Sequence, residues 1–254
     1  MEKWEITAKK FIDSCKFKDD IEAVFLTGSH AFGNADEFSD IDLFVILSEA
    51  TTWRERGNKR LDGLLIEYFA NPPQQVKKYI DDNYASVDLT EINMLLGGIV
   101  IFNKNSAAEK ILDYCHKKLT QVFPKMSEFN IKTGLYNMWD SHDELCRAYS
   151  NKTPDFTAKF FSFMRHAFEL YSKYVGSPVP SHHKLYTWLT DENYFNKYGL
   201  PPHNDPNFIG LMKSAFECKD THTMFNLSKT AYAYVTDKMG GFDIDNFAMR
   251  GPCD

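Results

Sequence analysis

Apolar positions recur along this chain with two different periods, and the change between them divides it. Near the start, Trp4, Ala8, Phe11, Ile12 and Cys15 fall at helical spacing and predict an amphipathic helix. Three short apolar runs then read as buried strands: 21–26, ended by Gly28; 41–47; and 63–70, stopped by Asn71-Pro72-Pro73. Proline is tolerated in the first turn of a helix, so Pro72 or Pro73 opens one that continues through QQVKKYIDD. Residues 97–103, GGIVIFN, read as another strand. The segment SAAEKILDYCHKKL that follows is helical, with Ser106 as its N-cap and Glu109 at capping-box spacing.

Beyond Leu119 the two-residue period fades, and Pro124 marks a break. Residues 126–150 read as a helix. Phe156, Phe160, Phe163, Ala167, Leu170, Tyr171 and Tyr174 form a stripe at 3–4 spacing, ended by Gly176-Ser177-Pro178. This stripe reads as core packing rather than a base-stacking platform. PSHHKLYTWLT reads as a loop leading into a short helix, and YGLPPHNDP as a loop. Met224, Leu227, Ala231, Val235 and Met239 give a late helix ended by Gly240-Gly241. The expectation is two domains, 1–120 with strands and helices and 121–254 all-helical.

Composition narrows the function classes. The 254 residues are 43% hydrophobic and 15% aromatic, enough for a packed core rich in Phe and Tyr. The net charge of −6 argues against a broad cationic nucleic-acid surface and against a template-directed polymerase, but leaves room for a local phosphate pocket. Cys15, Cys115, Cys146, Cys218 and Cys253 are scattered, with no CxxC pair. They read as reduced thiols of a cytoplasmic protein rather than a disulfide framework or zinc site. His30, His182 and His183 lack metal-ligand spacing. The N-terminus has no apolar signal region, and MLLGGIVIF is too short to cross a bilayer, so no membrane association is expected.

The chemistry concentrates in LTGSHAFGNADEFSDIDLFV, residues 26–45. Gly28 follows a strand and lacks a Cβ, so the turning backbone can bring N–H groups against phosphate oxygens. Ser29 adds a hydroxyl and is placed to cap a short helix, and Gly33 permits a second turn. Alternate residues of a strand share a face, so Asp40 and Asp42 project together while Ile41 and Leu43 face the core. Two neighbouring carboxylates repel unless a cation lies between them, and hard divalent ions prefer such oxygen donors. Glu67 lies among Leu65, Ile66, Tyr68 and Phe69, where a charge needs a reason. Pairing of the second and third strands would bring it beside the two aspartates.

Gly28-Ser29, the ten residues 30–39, Asp40-Ile41-Asp42 and the later Glu67 together resemble the nucleotidyltransferase superfamily of DNA polymerase β-like fold. The second glycine and the Ser39 before Asp40 are similar to minimal and antibiotic nucleotidyltransferases. The likeness spans roughly residues 20–105. It implies an α+β chain: an N-terminal nucleotidyltransferase domain with a mixed β-sheet flanked by helices, then an all-α bundle. It also implies Asp40, Asp42 and Glu67 as catalytic ligands of Mg²⁺ or Mn²⁺ in a two-metal mechanism. Gly28, Ser29 and Ser39 are then the nucleotide-binding residues, and Lys184 is a candidate phosphate contact. Glu67 is the favoured general base, with Asp143 or Glu144 as alternatives from the helical half.

The resemblance implies transfer of a nucleoside monophosphate, AMP above all, from an NTP such as ATP to a hydroxyl of a small molecule. An aminoglycoside-like polycation suits an acidic face. The alternatives are an antitoxin-type enzyme that modifies a partner protein and a nucleotide-binding module without turnover. Neither Arg147 nor Arg165 has a histidine at the spacing of a helical RNase.

Overall fold

The computed structural model describes residues 2–181, 184–194 and 198–250. These divide into two compact units, residues 2–122 with 198–200, and the rest. The first begins with α1 (Lys3–Ser14), followed by β1 (Ile21–Thr27), the single turn α2 (Gly28–Ala31) and β2 (Ile41–Leu47). Then come β3 (Glu55–Leu61), β4 (Leu64–Asn71), α3 (Pro73–Ala85), α4 (Thr90–Leu96), β5 (Ile99–Asn103) and α5 (Ala107–Leu119). The strands form one sheet in the order β3-β4-β2-β1-β5. It is mixed: β2 and β4 run parallel, and the other pairs are antiparallel.

The sheet has two unlike faces because successive side chains alternate. On one face Val24, Leu26, Leu43, Val45, Ile66 and Ala70 pack with Ala8, Phe11 and Ile12 of α1. On the other, Phe44 meets Phe69 edge-on, and Phe69 stacks on Tyr79 of α3. Two residues along each strand from these aromatics, this second face carries Asp42 and Glu67 instead. The transition from aromatic to acidic along a single face marks the candidate site.

The capping expectation for α5 needs correction. Ser106 sits at the N-cap position in the left-handed region, φ +54°, and its side chain makes no capping hydrogen bond. Asn103 does that work: its Oδ1 accepts from the Ala108 N–H, and its amide donates to Glu109. Ser29 likewise lies inside α2, whose N-cap is Thr27.

The second unit is helical: α6 (Glu128–Ser150), α7 (Phe156–Tyr174), α8 (Leu185–Thr190), α9 (Pro206–Glu217) and α10 (Thr221–Lys238). The aromatic stripe is core, with Phe156, Phe160, Phe163, Ala167, Leu170 and Tyr171 buried against Leu135, Phe208, Met224, Ala231 and Val235. Helix α9 escaped the periodic reading, because Asp205 and Pro206 look like loop residues yet serve as its N-cap and first position. Among the described residues no helix is long and apolar enough to cross a membrane.

Candidate active site

Three carboxylates converge on the acidic end of the sheet. Asp42 opposes Glu67 directly across the parallel β2–β4 pair, and Thr27 of β1 opposes Asp42 on the other side. Asp40 sits just before β2, two residues from Asp42. One carboxylate oxygen from each of Asp40, Asp42 and Glu67 can be chosen so that all three lie within 4.8 Å of one another. All three residues are partly buried. Carboxylates this close repel one another, so the arrangement is well suited to a cation. Oxygen-only donors of this kind match a hard divalent ion such as Mg²⁺.

The turn above the cluster is shaped for close approach. Gly28 has φ +64°, and a Cβ built there would lie 1.9 Å from Asp42 Oδ2. Any larger residue would therefore push the carboxylate away as well as strain the backbone. Gly33 also has positive φ, +69°, and faces open space, so its role is the turn alone. Phe32 braces the loop, since it meets Tyr198 edge-on and lies where a Cβ on Gly97 would be. The Asn34 amide donates to the Tyr198 hydroxyl at 2.7 Å.

Ser39 closes the far end of this loop. Its hydroxyl donates to Asp36 Oδ1 at 3.0 Å and accepts from the Asp36 N–H at 2.9 Å. That hydroxyl and the Phe38 N–H hold the Asp36 carboxyl below its usual range.

Arg56 on edge strand β3 was not found from the sequence. Its guanidinium donates twice to Glu67 Oε1, at 3.0 and 2.5 Å. Asn58 opposes Glu67 in the register, so Arg56 and Arg60 share Glu67's face. ERGNKRL lacks the apolar alternation by which strands are recognised, because both faces of an edge strand can stay wet. Glu91 was missed too. It lies in the first turn of α4 and, with Asp42, Arg56, Glu67, Phe69 and Met94, lines a cleft of about 300 Å³. Burial pushes its carboxyl up, with Asp88 adding to the effect, while the Asn83 side-chain amide donates to it.

The other candidates belong to the second unit. Asp143 pairs with Arg147 at 2.8 Å, and Glu144 faces Lys159 at 3.6 Å. Lys184 is the N-cap residue of α8. His182, His183 and Cys253 lie outside the described residues.

A sheet that sets a glycine turn over paired aspartates and a third strand-borne acid has the construction of a nucleotidyl-transferring enzyme. The family model for the nucleotidyltransferase domain matches residues 8–90. A protein of Methanocaldococcus jannaschii named "Putative protein adenylyltransferase" is 31% identical over 122 residues, covering 45% of this chain and 82% of that relative. This chain belongs to the nucleotidyltransferase family. A nucleotidyltransferase-like protein of Exiguobacterium sibiricum shares the fold at 10% identity with a TM-score of 0.50, over 92% of this chain and 74% of that one.

Proposed function

We propose that this chain moves the adenylyl group of ATP to a hydroxyl acceptor and depends on divalent cations to do so. The observation that carries this reading is the meeting of Asp40, Asp42 and Glu67 beneath Gly28, in a chain of this family. The three acids would hold Mg²⁺ or Mn²⁺, as one or two ions. When bound, such ions offset the negative charge of the triphosphate and favour departure of pyrophosphate.

The chain's own residues supply the positioning. Gly28 and Ser29 would lie against the β- and γ-phosphates, with the backbone approach that only a glycine permits. Ser39 would act through Asp36, fixing the loop that ends at Asp40. A cytoplasmic location accords with this reading, where the thiols of Cys15, Cys115, Cys146 and Cys218 stay reduced.

The acceptor has two candidate classes. A small-molecule hydroxyl, aminoglycoside-like, draws support from the acidic cluster. Arg56 and Arg60 on the same face give the rim mixed charge and weaken the case for a polycation. The name of the Methanocaldococcus relative favours the second class, a hydroxyl on a protein side chain.

Transfer of label from α-³²P-ATP tests the function and separates the classes, using an aminoglycoside panel in one arm and co-purifying proteins in the other. We expect labelled product from the wild type and none from Asp40→Asn. Label transfer that survives Asp40→Asn would remove the proposal, and nucleotide binding without any pyrophosphate release would leave a non-catalytic module.

A further inference from the structure

The nucleophile must lose a proton, and Glu67 is poorly placed to take it. Its Oε1 already accepts two N–H bonds from Arg56, and its carboxylate belongs to the cation cluster. Asp143 and Glu144 are engaged by Arg147 and Lys159. Glu91 differs from all of these. It faces the same cleft as Asp42 and Glu67, yet comes from helix α4 rather than from the strands. The Asn83 amide of α3 fixes its orientation from behind. Phe44, Phe69 and Met94 line the same cleft, side chains that cannot compete for a proton.

We propose that Glu91 is the proton-accepting residue of the transfer reaction, that Asn83 positions it, and that the cleft between α4 and the acidic cluster is the acceptor subsite. This rests on the proposed function. The acceptor oxygen forms a bond to the α-phosphorus as the bond from that phosphorus to the bridging oxygen breaks. Pyrophosphate leaves with the bonding pair, and the acceptor's proton passes to a Glu91 oxygen. Burial raises the proton affinity of this carboxylate, which suits a base working near neutral pH. Hydrogen bonds from its own backbone N–H and from the Asn83 amide work the other way, and the net direction is upward.

The test measures pyrophosphate release from Mg-ATP, with the aminoglycoside panel and then the co-purifying proteins as acceptor, in wild type, Glu91→Gln, Asn83→Ala and Asp40→Asn. Calorimetry records Mg-ATP binding by each. Glu91→Gln keeps the shape of the side chain, and a thermal melt confirms its fold. We expect it to bind Mg-ATP as the wild type does while kcat falls about 10²-fold. Asn83→Ala should lower kcat about tenfold with the same unchanged binding, a split that general loosening of the fold would not give. Release that falls in Asp40→Asn and persists in Glu91→Gln overturns the inference and leaves the function standing. No release from wild type, or release untouched by Asp40→Asn, overturns the function and the inference with it.

Discussion

Two carboxylate sites, one in each unit, are built in opposite ways. In the helical unit Asp205 caps α9 and gathers four donors. The hydroxyls of Tyr171 and Tyr234 reach Oδ2 at 2.6 and 2.7 Å, and the N–H groups of Asn207 and Phe208 reach Oδ1 at 3.1 and 3.2 Å. Burial works to raise this carboxyl's pKa, but those donors outweigh it and hold it below the usual 3.8. Tyr234 is pushed up to about 12, by burial first and then by its bond to Asp205. At the acidic end of the sheet in the α/β unit three carboxylates instead converge on one another, and Arg56 pairs with Glu67. A carboxylate surrounded by protein donors holds a fold together. Carboxylates gathered close to one another offer the oxygen donors that a hard divalent cation prefers.

The same isosteric substitution in each assembly tests that contrast most directly. Asp42→Asn should lower nucleotidyl transfer about 10³-fold, since it removes a proposed cation ligand. In metal-free buffer the same change should leave the melting temperature unchanged or slightly higher, because a repulsion is relieved. Adding Mg²⁺ should then stabilise the wild type by about 2.7 kcal/mol at a hundredfold excess over Kd, and Asp42→Asn by far less. A wild type whose melting temperature ignores Mg²⁺ would break the comparison at its root.

Gly28→Ala approaches the same cluster from the backbone. The new methyl would meet Asp42 Oδ2, and φ +64° adds strain. We expect transfer to fall about 10²-fold, as for a displaced reacting group, with a loss of about 1–2 kcal/mol in stability. Near-native activity would mean that the turn relaxes and that Gly28 does not set the position of Asp42.

Asp205→Asn should show the reverse profile: transfer little changed, and stability lowered by about 2 kcal/mol through weakened charge-assisted hydrogen bonds. The sign with pH follows from the depressed pKa. Asp205 stabilises the fold fully above its unfolded value, and this contribution fades as pH falls through the folded pKa. The gap between wild type and variant in denaturation should therefore be widest near neutrality and close in strong acid. A gap that widens on acidification would contradict the assignment.

How far the sequence disclosed all this depends on the range of the interaction. Asp40-Ile41-Asp42 was legible because a two-residue period forces both acids to one side, and the apolar runs around it fixed β1, β2 and β4. Glu67 was legible as a charge that its neighbours could not explain. Strand β3 was not, because its alternating residues are all polar or charged apart from Gly57 and Leu61. Glu91 was hidden for another reason. Nothing within several residues of it marks a site, and its importance comes from a cleft that it shares with side chains of β2, β3 and β4, distant in sequence. Asp205 looks like a loop residue in the sequence, since its four donors come from three separate stretches of chain.

The smallest expected effect concerns Arg56. Its guanidinium is 70% exposed and Glu67 30%, so this ion pair is well screened and adds about 0–1 kcal/mol to stability. Arg56→Ala should leave the melting temperature almost unchanged. Its consequence lies in competition: Arg56 and a divalent ion seek the same carboxylate, and a cation must share Glu67 with the guanidinium or displace it. We expect Mg²⁺ affinity, measured by calorimetry, to rise a few-fold in Arg56→Ala at low ionic strength, with the gain shrinking as salt screens the pair. A fall in Mg²⁺ affinity would show instead that Arg56 orients Glu67 for the ion. That result would carry Arg56 from the side of the comparison where charges compete to the side where donors hold a carboxylate in place, as Tyr171 and Tyr234 do at Asp205.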